Sequence, residues 1–247
     1  MHQLLAEILR YAELEHVQGV VDVQQLKELV VPCNGGEHLD YYAVDSGYVV
    51  RRVGVADVLI QTMVAVGKDV RRRFVMQRVV EDPHREARRN EIRFAESISA
   101  DIVLVDGPLT PYVNTARVIA VSKDPRLVRY GPRIPEKDKR EAFMKLVKAV
   151  GERELAGLLL SASAPGSYLL PVDLGGLYGT FFKSDWVVYV EYPKHLDAGR
   201  LCALFRRYPV RLRLAHHLAK VNREYLETVG AILSGVLRTS LRPRELL

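Results

Sequence analysis

The sequence is short of cysteine and has no long hydrophobic run, and each of these absences excludes a class of protein. Two cysteines in 247 residues are too few for a disulfide framework, and their separation does not fit the spacing of metal ligands. No apolar stretch reaches the roughly 18 residues of a membrane-spanning helix. Residues 1–16 carry three glutamates among their leucines, unlike a secretory signal. We therefore expect a cytoplasmic protein with no membrane partner.

The chain is rich in charge and in core-forming residues. Hydrophobic residues make up 48% of it and charged residues 27%, which is typical of a globular protein able to bury a full core. The net charge of +6 permits a polyanionic partner without requiring one. Arginine, glutamate and valine are plentiful while asparagine and glutamine are scarce, as in many thermophile proteins. We expect a single domain over residues 1–247, with a helical segment at 1–32, a core at 40–237 and a basic tail at 238–247.

The most informative stretch is 41–50, which predicts a strand because aromatic and β-branched residues dominate it. In its middle lies Asp45, where the pattern asks for a side chain that packs. A buried carboxylate costs several kcal/mol unless it is paired, hydrogen-bonded or bound to a metal. An ordinary turn aspartate before Ser46-Gly47 is the alternative interpretation.

A second strand repeats this arrangement. Residues 101–108 form a short apolar run that ends in Asp106-Gly107, as expected of a strand buried in a sheet between helices. Two strands that each deliver an aspartate to one sheet bring two like charges together, and such a pair repels unless a cation lies between them. The sequence therefore predicts a divalent cation site that contains Asp45 and Asp106.

The order of the predicted elements indicates the fold. Three antiparallel strands, a helix that begins after Asp82, and a fourth strand with the second acid are the order of a ribonuclease-H-like core, so we predict an α/β fold with a mixed sheet flanked by helices. The predicted helices are 2–16, 22–31, 82–99, 136–151, 196–206 and 214–237. The predicted strands are 41–50, 54–66, 71–80, 101–106, 117–124, 168–172, 178–182 and 186–192.

Such a metal site usually needs a third acid, and helical geometry selects it. On the helix after Asp82, an apolar stripe includes Ala87 and Ala95, and Glu91 falls inside that stripe. Glu96 falls on the opposite face and Glu86 lies to the side. Glu91 is therefore the predicted third ligand, and the alternative is a buried salt bridge between Glu91 and an arginine.

Three acids suit the cleavage of a phosphodiester bond. Two divalent ions about 3.5–4 Å apart would stabilise the attacking and leaving oxygens, and oxygen ligands favour magnesium or manganese over zinc. Lys123, at the end of its strand, is placed to stabilise negative charge on the phosphate. An exposed lysine in a Ser-Lys-Asp turn is the alternative.

Several short motifs extend over about residues 40–225: Ala43-Val44-Asp45-Ser46-Gly47, Asn90-Glu91-Ile92-Arg93-Phe94-Ala95, Val105-Asp106-Gly107-Pro108-Leu109, Val121-Ser122-Lys123-Asp124, and Tyr208-Pro209 followed by Leu214-Ala215-His216. Together, and in this order, these motifs resemble those of the NurA nuclease family. The sequence departs from the family pattern in the order Asp-Ser-Gly in the first motif and in Pro108, where a serine is usual.

The resemblance implies a fold and an activity. NurA proteins are ribonuclease-H-like, manganese-dependent 5′→3′ DNA nucleases that form dimers and act with the hexameric ATPase HerA in DNA end resection and double-strand break repair. It implies metal ligation by Asp45, Glu91, Asp106 and His216, catalytic roles for these residues and for Lys123, and substrates that include single- and double-stranded DNA, with single-strand endonuclease activity as well.

The histidine is the least determined member of the predicted site. The apolar face of its predicted helix contains Leu218 and Tyr225, and His216 points nearly opposite to that face, toward a cleft or solvent. His217 is an adjacent competitor, and only the motif favours His216. An imidazole there could ligate a metal or protonate a leaving oxygen.

Two other functions remain open from the sequence. A phosphotransferase of the actin and sugar-kinase type also places Asp-x-Gly turns at strand ends, although this chain has no glycine-rich adenosine-binding stretch. A non-catalytic DNA-binding or scaffold subunit could keep the fold, but it would have no need of an internal acidic cluster.

Overall fold

The computed structural model describes residues 24–35, 39–53, 55–110, 115, 117–123, 125, 127–220, 228–232 and 235. Its elements, in chain order, are α1 (Gln24–Lys27), β1 (Val30–Val31), β2 (Tyr42–Val53), β3 (Ala56–Val66), β4 (Val70–Arg78), α2 (Pro83–Glu96), β5 (Val103–Asp106), β6 (Val118–Ser122), a 3-10 turn (Gly131–Arg133), α3 (Lys137–Val150), α4 (Glu152–Leu160), β7 (Tyr168–Leu169), β8 (Val172–Asp173), β9 (Leu177–Lys183), β10 (Val187–Pro193), α5 (Ala198–Leu201) and α6 (Val210–Ala219). In these ranges no helix has both the length and the apolar content to cross a membrane. The helix predicted over 2–16 and the basic tail lie outside the described residues.

The chain forms two compact units. The first comprises residues 1–39, 107–110 and 114–209, and the second comprises residues 40–106, 111–113 and 210–247. The first unit therefore contains β1 and β6 to β10, and the second contains β2 to β5. The single domain expected over residues 1–247 stays a prediction.

The second unit has the strand arrangement that the sequence predicts. Its strands lie in the order β5-β2-β3-β4. The strands β2, β3 and β4 form an antiparallel meander, whereas β5 pairs parallel with β2 after the crossover through α2. The predicted α/β class, with a mixed sheet flanked by helices, is confirmed.

Helices cover both faces of this sheet. On one face α2 begins as predicted, with Asp82 accepting a hydrogen bond from the Arg85 N–H at 2.8 Å and Pro83 in its first turn. Gln61 of β3 donates to the Ala87 carbonyl of α2 at 2.8 Å. On the other face α6 contacts Asp45. Asp45 pairs with Val64 of β3, and Val64 and Gln61 lie on opposite faces because side chains alternate along a strand.

The first unit is antiparallel and has its own apolar core. Its strands lie in the order β1-β7-β9-β10-β6, and β8 pairs with β9. The ring of Tyr130 packs against those of Phe143 and Phe181, and α3 and α4 supply half of the other buried core side chains. The sequence did not predict α4, which follows α3 directly at Gly151, a residue with φ of 91° that favours glycine.

Three of the predicted helix boundaries are wrong. The helix predicted over 22–31 is shorter, because α1 ends at Lys27 and β1 follows it. The first closing helix predicted over 196–206 shrinks to α5, Ala198–Leu201. The second begins at Val210 rather than at 214. Helix ends depend on backbone partners outside the helix, and periodicity does not show those partners.

Buried glutamates hold two loops of the first unit in place. Glu191, fully buried on β10, accepts hydrogen bonds from the backbone N–H groups of Leu109 and Thr110 at 2.7 and 2.8 Å. Glu152 at the start of α4 accepts from three consecutive N–H groups, those of residues 129–131. Each carboxylate replaces the hydrogen bonds that water would make to these loop amides.

The two cysteines form a disulfide within the first unit. Cys33 and Cys202 are 169 residues apart in sequence, and their Cα atoms are 5.7 Å apart. Two cysteines are too few for a network of several disulfides, and from their number we did not predict this single cross-link. Structural disulfides form in oxidising compartments and in the cytoplasm of hyperthermophiles. The cytoplasmic location of this protein stays a prediction.

Reduction of the disulfide should lower stability markedly. A cross-link that closes a long loop restricts the unfolded chain, and the chain-entropy model gives about 5 kcal/mol for a loop of this length, with measured values of about 2–5 kcal/mol. We expect thermal unfolding with and without a reductant to show this loss. The variant Cys33→Ala/Cys202→Ala serves as the control, since a reductant should leave its unfolding temperature unchanged.

Candidate metal centre

The pairing of β2 with β5 brings the two predicted aspartates to the same level of the sheet. Val44 of β2 is the partner of Val105 of β5 in the parallel register. The next residue on each strand is an aspartate, so Asp45 and Asp106 lie side by side. Asp45 is 7% exposed and Asp106 is half-buried at the end of its strand.

Helix α6 adds a histidine to this pair. Nδ1 of His216 lies 2.6 Å from Oδ2 of Asp45 and 3.8 Å from Oδ2 of Asp106. One ligand atom from each of the three residues lies within 4.8 Å of the other two. Among the described residues, the histidine grouped with these acids is His216 and not its neighbour His217. The predicted apolar face of this helix is wrong, because its buried side is formed by Leu212, Ala215 and Ala219. His216 directly follows Ala215, so it lies beside this buried side rather than opposite to it.

Burial and charge repulsion act on Asp45 together. Burial raises the pKa of the Asp45 carboxyl, and the nearby Asp106 raises it further. The Ser46 N–H, which donates to Oδ1 of Asp45 at 2.7 Å, and the His216 ring oppose this rise. The net shift is upward, so Asp45 is a carboxylate whose charge is incompletely compensated in this structure.

Glu91 is buried near the pair but has a different partner. As its helical position predicts, the Glu91 side chain faces inward and is 4% exposed. It accepts a hydrogen bond from Nη1 of Arg88 at 2.5 Å, which is the salt bridge expected as the alternative. Burial raises the pKa of Glu91 to about 7 despite Arg88, and Asp45 and Asp106 contribute to the rise. Glu91 is not among the three grouped ligands, and its metal-binding role stays a prediction.

Sequence reasoning missed Arg88. The same Nη1 atom that donates to Glu91 also donates to the backbone carbonyl of Asp106 at 2.6 Å. Arg88 therefore connects Glu91 to the end of β5, which carries Asp106. The spacing of three residues between Arg88 and Glu91 on one helix was the available signal, because such residues are neighbours on a helix surface.

The other acids of α2 are not part of the centre. Glu96 is exposed, as predicted for the opposite face. Glu86 is buried but satisfied, accepting from the N–H groups of Glu81 and Val80 and from Gln77 at 2.7–2.8 Å. These hydrogen bonds, the one from Glu81 above all, lower the pKa of Glu86. Its interactions with the turn before α2 identify it as a structural acid.

Lys123 lies in the first unit, immediately after β6. Its Nζ atom lies 4.9 Å from the centroid of the Tyr208 ring, a distance at which a cation is attracted to the ring face. Both residues belong to the predicted motifs. A catalytic role for Lys123 stays a prediction.

The ligand chemistry of the grouped residues fits a divalent cation. Asp45 and Asp106 offer carboxylate oxygens and His216 offers an imidazole nitrogen, a set that suits manganese, and magnesium if oxygen ligands dominate. A cation between the two aspartates would remove the repulsion that raises the pKa of Asp45. The residues present therefore fit the predicted ion.

Comparison with known proteins identifies a family and a fold. The family model described as NurA domain matches residues 39–221. The fold is similar to that of the NurA nuclease from Sulfolobus solfataricus, with 11% sequence identity, a TM-score of 0.59 and coverage of 98% of this chain and 99% of that chain. It is also similar to a NurA structure bound to dAMP and manganese, with 12% identity, a TM-score of 0.56 and coverage of 98% and 97%. No curated protein matches the sequence.

Manganese should stabilise the protein, and more so at higher pH. Because burial raises the pKa values of Asp45 and Glu91, the folded state binds their protons more tightly than the unfolded state does. Without metal, stability should therefore fall as the pH rises from about 4.5 to about 7. Metal binding needs ionised carboxylates. A free Mn²⁺ concentration of 100 times the dissociation constant should add about 2.7 kcal/mol to the free energy of unfolding. This corresponds to a rise of about 5–10 °C in unfolding temperature.

The measurement is thermal unfolding with Mn²⁺ or with chelator at pH 5 and pH 8. The variant Asp45→Asn/Asp106→Asn should lose most of the Mn²⁺-induced shift. Without metal this variant should be at least as stable as the native chain at pH 8, since it lacks the repelling charges. An equal shift in the native chain and the variant would contradict the metal centre.

Removal of Arg88 should destabilise the fold through Glu91. In Arg88→Met, Glu91 keeps its burial but loses its ion pair, and such a loss typically costs about 3–5 kcal/mol. The cost should be smaller at pH 5, where Glu91 is protonated. Denaturant unfolding of Arg88→Met beside Arg88→Met/Glu91→Gln tests this, because the double variant should recover much of the loss. Equal stability of the two variants at pH 8 would show that Arg88 does not act through Glu91.

Proposed function

This chain belongs to the NurA family, and we propose that it is a divalent-metal-dependent DNA nuclease, a phosphodiester hydrolase. One observation supports this proposal above the others. In the second unit, Asp45, Asp106 and His216 lie close enough together to bind one metal ion. The family match covers most of this unit. A protein that only bound DNA would have no use for a buried carboxylate held beside a second, repelling carboxylate.

We propose manganese or magnesium as the cofactor. The NurA structure of similar fold contains manganese and dAMP, a nucleotide that carries a single phosphate. When bound, the divalent ion supplies charge stabilisation to the attacking and leaving oxygens of a phosphodiester displacement. Asp45 and Asp106 would hold it, with His216 as a third ligand.

Each protein group has a distinct task in this proposal. Asp45 is held by the Ser46 N–H, which leaves its second oxygen for His216 and the ion. Arg88 holds the Asp106 carbonyl and so fixes the strand end from which the Asp106 side chain projects. The His216 ring is half exposed and has Nδ1 beside both aspartates, so Nδ1 is the nitrogen that would bind the ion, and Nε2 is left to donate a hydrogen bond to a leaving oxygen.

We propose a second ion site that involves Glu91. Glu91 is close enough for Asp45 and Asp106 to raise its pKa, so its carboxylate belongs to the same electrostatic cluster. Its present partner is the Arg88 guanidinium. A second ion would therefore need Glu91 to exchange Arg88 for the metal. Titration of the protein with Mn²⁺, followed by electron paramagnetic resonance, counts the bound ions.

The family resemblance supports a more specific biological proposal. We propose 5′→3′ exonuclease activity, with single-strand endonuclease activity as a second mode, in DNA end resection and double-strand break repair. The proposed partners are a HerA-type hexameric ATPase and a second copy of the chain. Lys123, in its Ser-Lys-Asp motif, is the proposed source of positive charge at the phosphate.

The substitution Asp45→Asn should abolish cleavage while the chain remains folded. The amide keeps the shape of the carboxylate but removes the charge that holds the ion, so we expect a rate loss of at least about 100-fold. The assay follows end-labelled single- and double-stranded DNA with Mn²⁺, Mg²⁺ or chelator. The position of the label also gives the polarity of digestion.

Asp57→Asn is the matched control, because Asp57 is an exposed aspartate of the same sheet whose ion-pair partner is Arg52. It should cleave DNA like the native chain. Cleavage that persists in Asp45→Asn would disprove the metal centre as the site of catalysis. A native chain that binds DNA but does not cut it with either metal would instead support the scaffold function.

A further inference from the structure

A polar pocket lies between α2 and β4, apart from the metal centre. Its volume is about 220 Å³, and its lining includes three arginines, two glutamates and two carboxamides. Gln77 of β4 belongs to this lining, whereas Arg72 of β4 lies in line with Asp45 across the sheet. Side chains five residues apart on a strand point to opposite faces. Gln77, like α2, therefore lies on the face opposite to Asp45, and the metal centre does not use the residues of this pocket.

Three carboxamides beside the pocket form a hydrogen-bond chain whose direction is fixed at both ends. Nε2 of Gln61 donates to the Ala87 carbonyl at 2.8 Å. Nε2 of Gln77 donates at 2.8 Å to the carboxylate of Glu86, which a lowered pKa keeps ionised. Because both acceptors have no proton to give, both glutamines turn their carbonyl oxygens to Asn90. Nδ2 of Asn90 donates to these two oxygens at 3.1 Å each, and Oδ1 is left as an acceptor.

This last atom of the hydrogen-bond chain, Oδ1 of Asn90, has no donor among the residues that the structure describes. Asn90 lines the pocket, so this oxygen is placed to accept a hydrogen bond from a ligand. Asn90 and Arg93 belong to the same short motif as Glu91, but they lie on the pocket side of α2. A ligand that satisfies Asn90 must supply an N–H or O–H group.

The pocket also has an excess of positive charge. Glu86 accepts three hydrogen bonds, and Glu81 forms an ion pair with Arg89, so both glutamates of the lining have partners. In the part of the chain that the structure describes, no carboxylate forms a salt bridge with Arg78 or Arg93. Guanidinium groups match the geometry of phosphate oxygens and make strong, charge-assisted hydrogen bonds to them. These two arginines therefore favour a ligand that carries a phosphate group.

We propose that this pocket is a nucleotide site separate from the metal centre. The phosphate binds to Arg78 and Arg93, and an amino or hydroxyl group of the same nucleotide donates to Oδ1 of Asn90. Inorganic phosphate ions and nucleosides each carry only one of these two features. Pockets that enclose a whole drug-sized ligand measure roughly 300–1,000 Å³, so this smaller pocket holds part of one nucleotide. The nucleotide is either a free monophosphate or one unit of a DNA strand, and its binding goes beyond the nuclease function.

The test is isothermal titration calorimetry at pH 8 in chelator, with deoxycytidine monophosphate (dCMP), deoxycytidine and inorganic phosphate as separate probes. The native chain should bind dCMP more tightly than either of the other two, because only dCMP offers both groups. Arg93→Gln should weaken the binding of dCMP by about 10- to 150-fold, the range that corresponds to the loss of one hydrogen bond to a charged group. Arg78→Gln should act in the same direction.

Arg85→Gln is the matched control, since it removes the same charge from an exposed position of α2 that does not line the pocket. It should bind dCMP like the native chain. All three variants change exposed side chains and should unfold at the native temperature. A 20-nucleotide oligo-dC separates the two sources of the nucleotide. Weaker binding of dCMP alone in Arg93→Gln identifies a free nucleotide, and weaker binding of both probes identifies a unit of a DNA strand.

The outcomes separate this site from the nuclease function. If Arg93→Gln and Arg78→Gln bind dCMP as tightly as Arg85→Gln does, the nucleotide site is disproved, whether or not the chain cuts DNA. If Asp45→Asn/Asp106→Asn abolishes the binding of dCMP while Arg93→Gln does not, dCMP lies at the metal centre and the nucleotide site is again disproved. If the pocket variants lose the binding of dCMP while the native chain cuts no DNA with Mn²⁺, the nucleotide site stands and the nuclease is disproved.

Discussion

The second unit depends on a costly feature, the placement of two aspartates at the same level of neighbouring parallel strands. The pairing of Val44 with Val105 fixes the register of β2 and β5, so the acids cannot separate without loss of the parallel ladder. Burial and the neighbouring charge of Asp106 raise the pKa of Asp45. The structure compensates only in part, with one backbone N–H and one histidine ring on Asp45. The remaining electrostatic strain is what a bound cation would relieve.

A comparison among the buried acids shows why this strain is informative. Glu86 accepts three hydrogen bonds from donors before and around its helix, and its pKa is lowered. Glu191 is fully buried and is satisfied by two loop amides and a threonine hydroxyl. Such acids need nothing further, and their role is to hold loops. Asp45 and Glu91 have raised pKa values and belong to one cluster, in which neighbouring carboxylates contribute to the rise. Burial also raises the pKa of the structural Glu152, so the shared cluster, and not the raised pKa alone, distinguishes the site.

The sequence could predict what depends on local patterns. Alternation and β-branched residues located the meander, the capping pair of Asp82 and Pro83 located the start of α2, and helical spacing placed Glu91 inward. It could not choose between a metal and Arg88 as the partner of Glu91, because both interpretations put the carboxylate in the same place and only the direction of the Arg88 side chain separates them. The disulfide between Cys33 and Cys202 was equally beyond reach, since it depends on how residues 169 apart are brought together.

The position of His216 in the chain shows how the centre and the fold depend on each other. Its contact with Asp45 joins residues 171 apart, whereas Asp45 and Asp106 come from one continuous stretch of the second unit. Helix α6 covers the Asp45 side of the sheet with Leu212, Ala215 and Ala219 and so contributes to the burial that raises the pKa of Asp45. The same helix supplies the imidazole that opposes this rise. The element that makes Asp45 costly to ionise is therefore also the one that helps to stabilise its charge, and the two acids and the histidine form the ligand group only when α6 packs on the sheet.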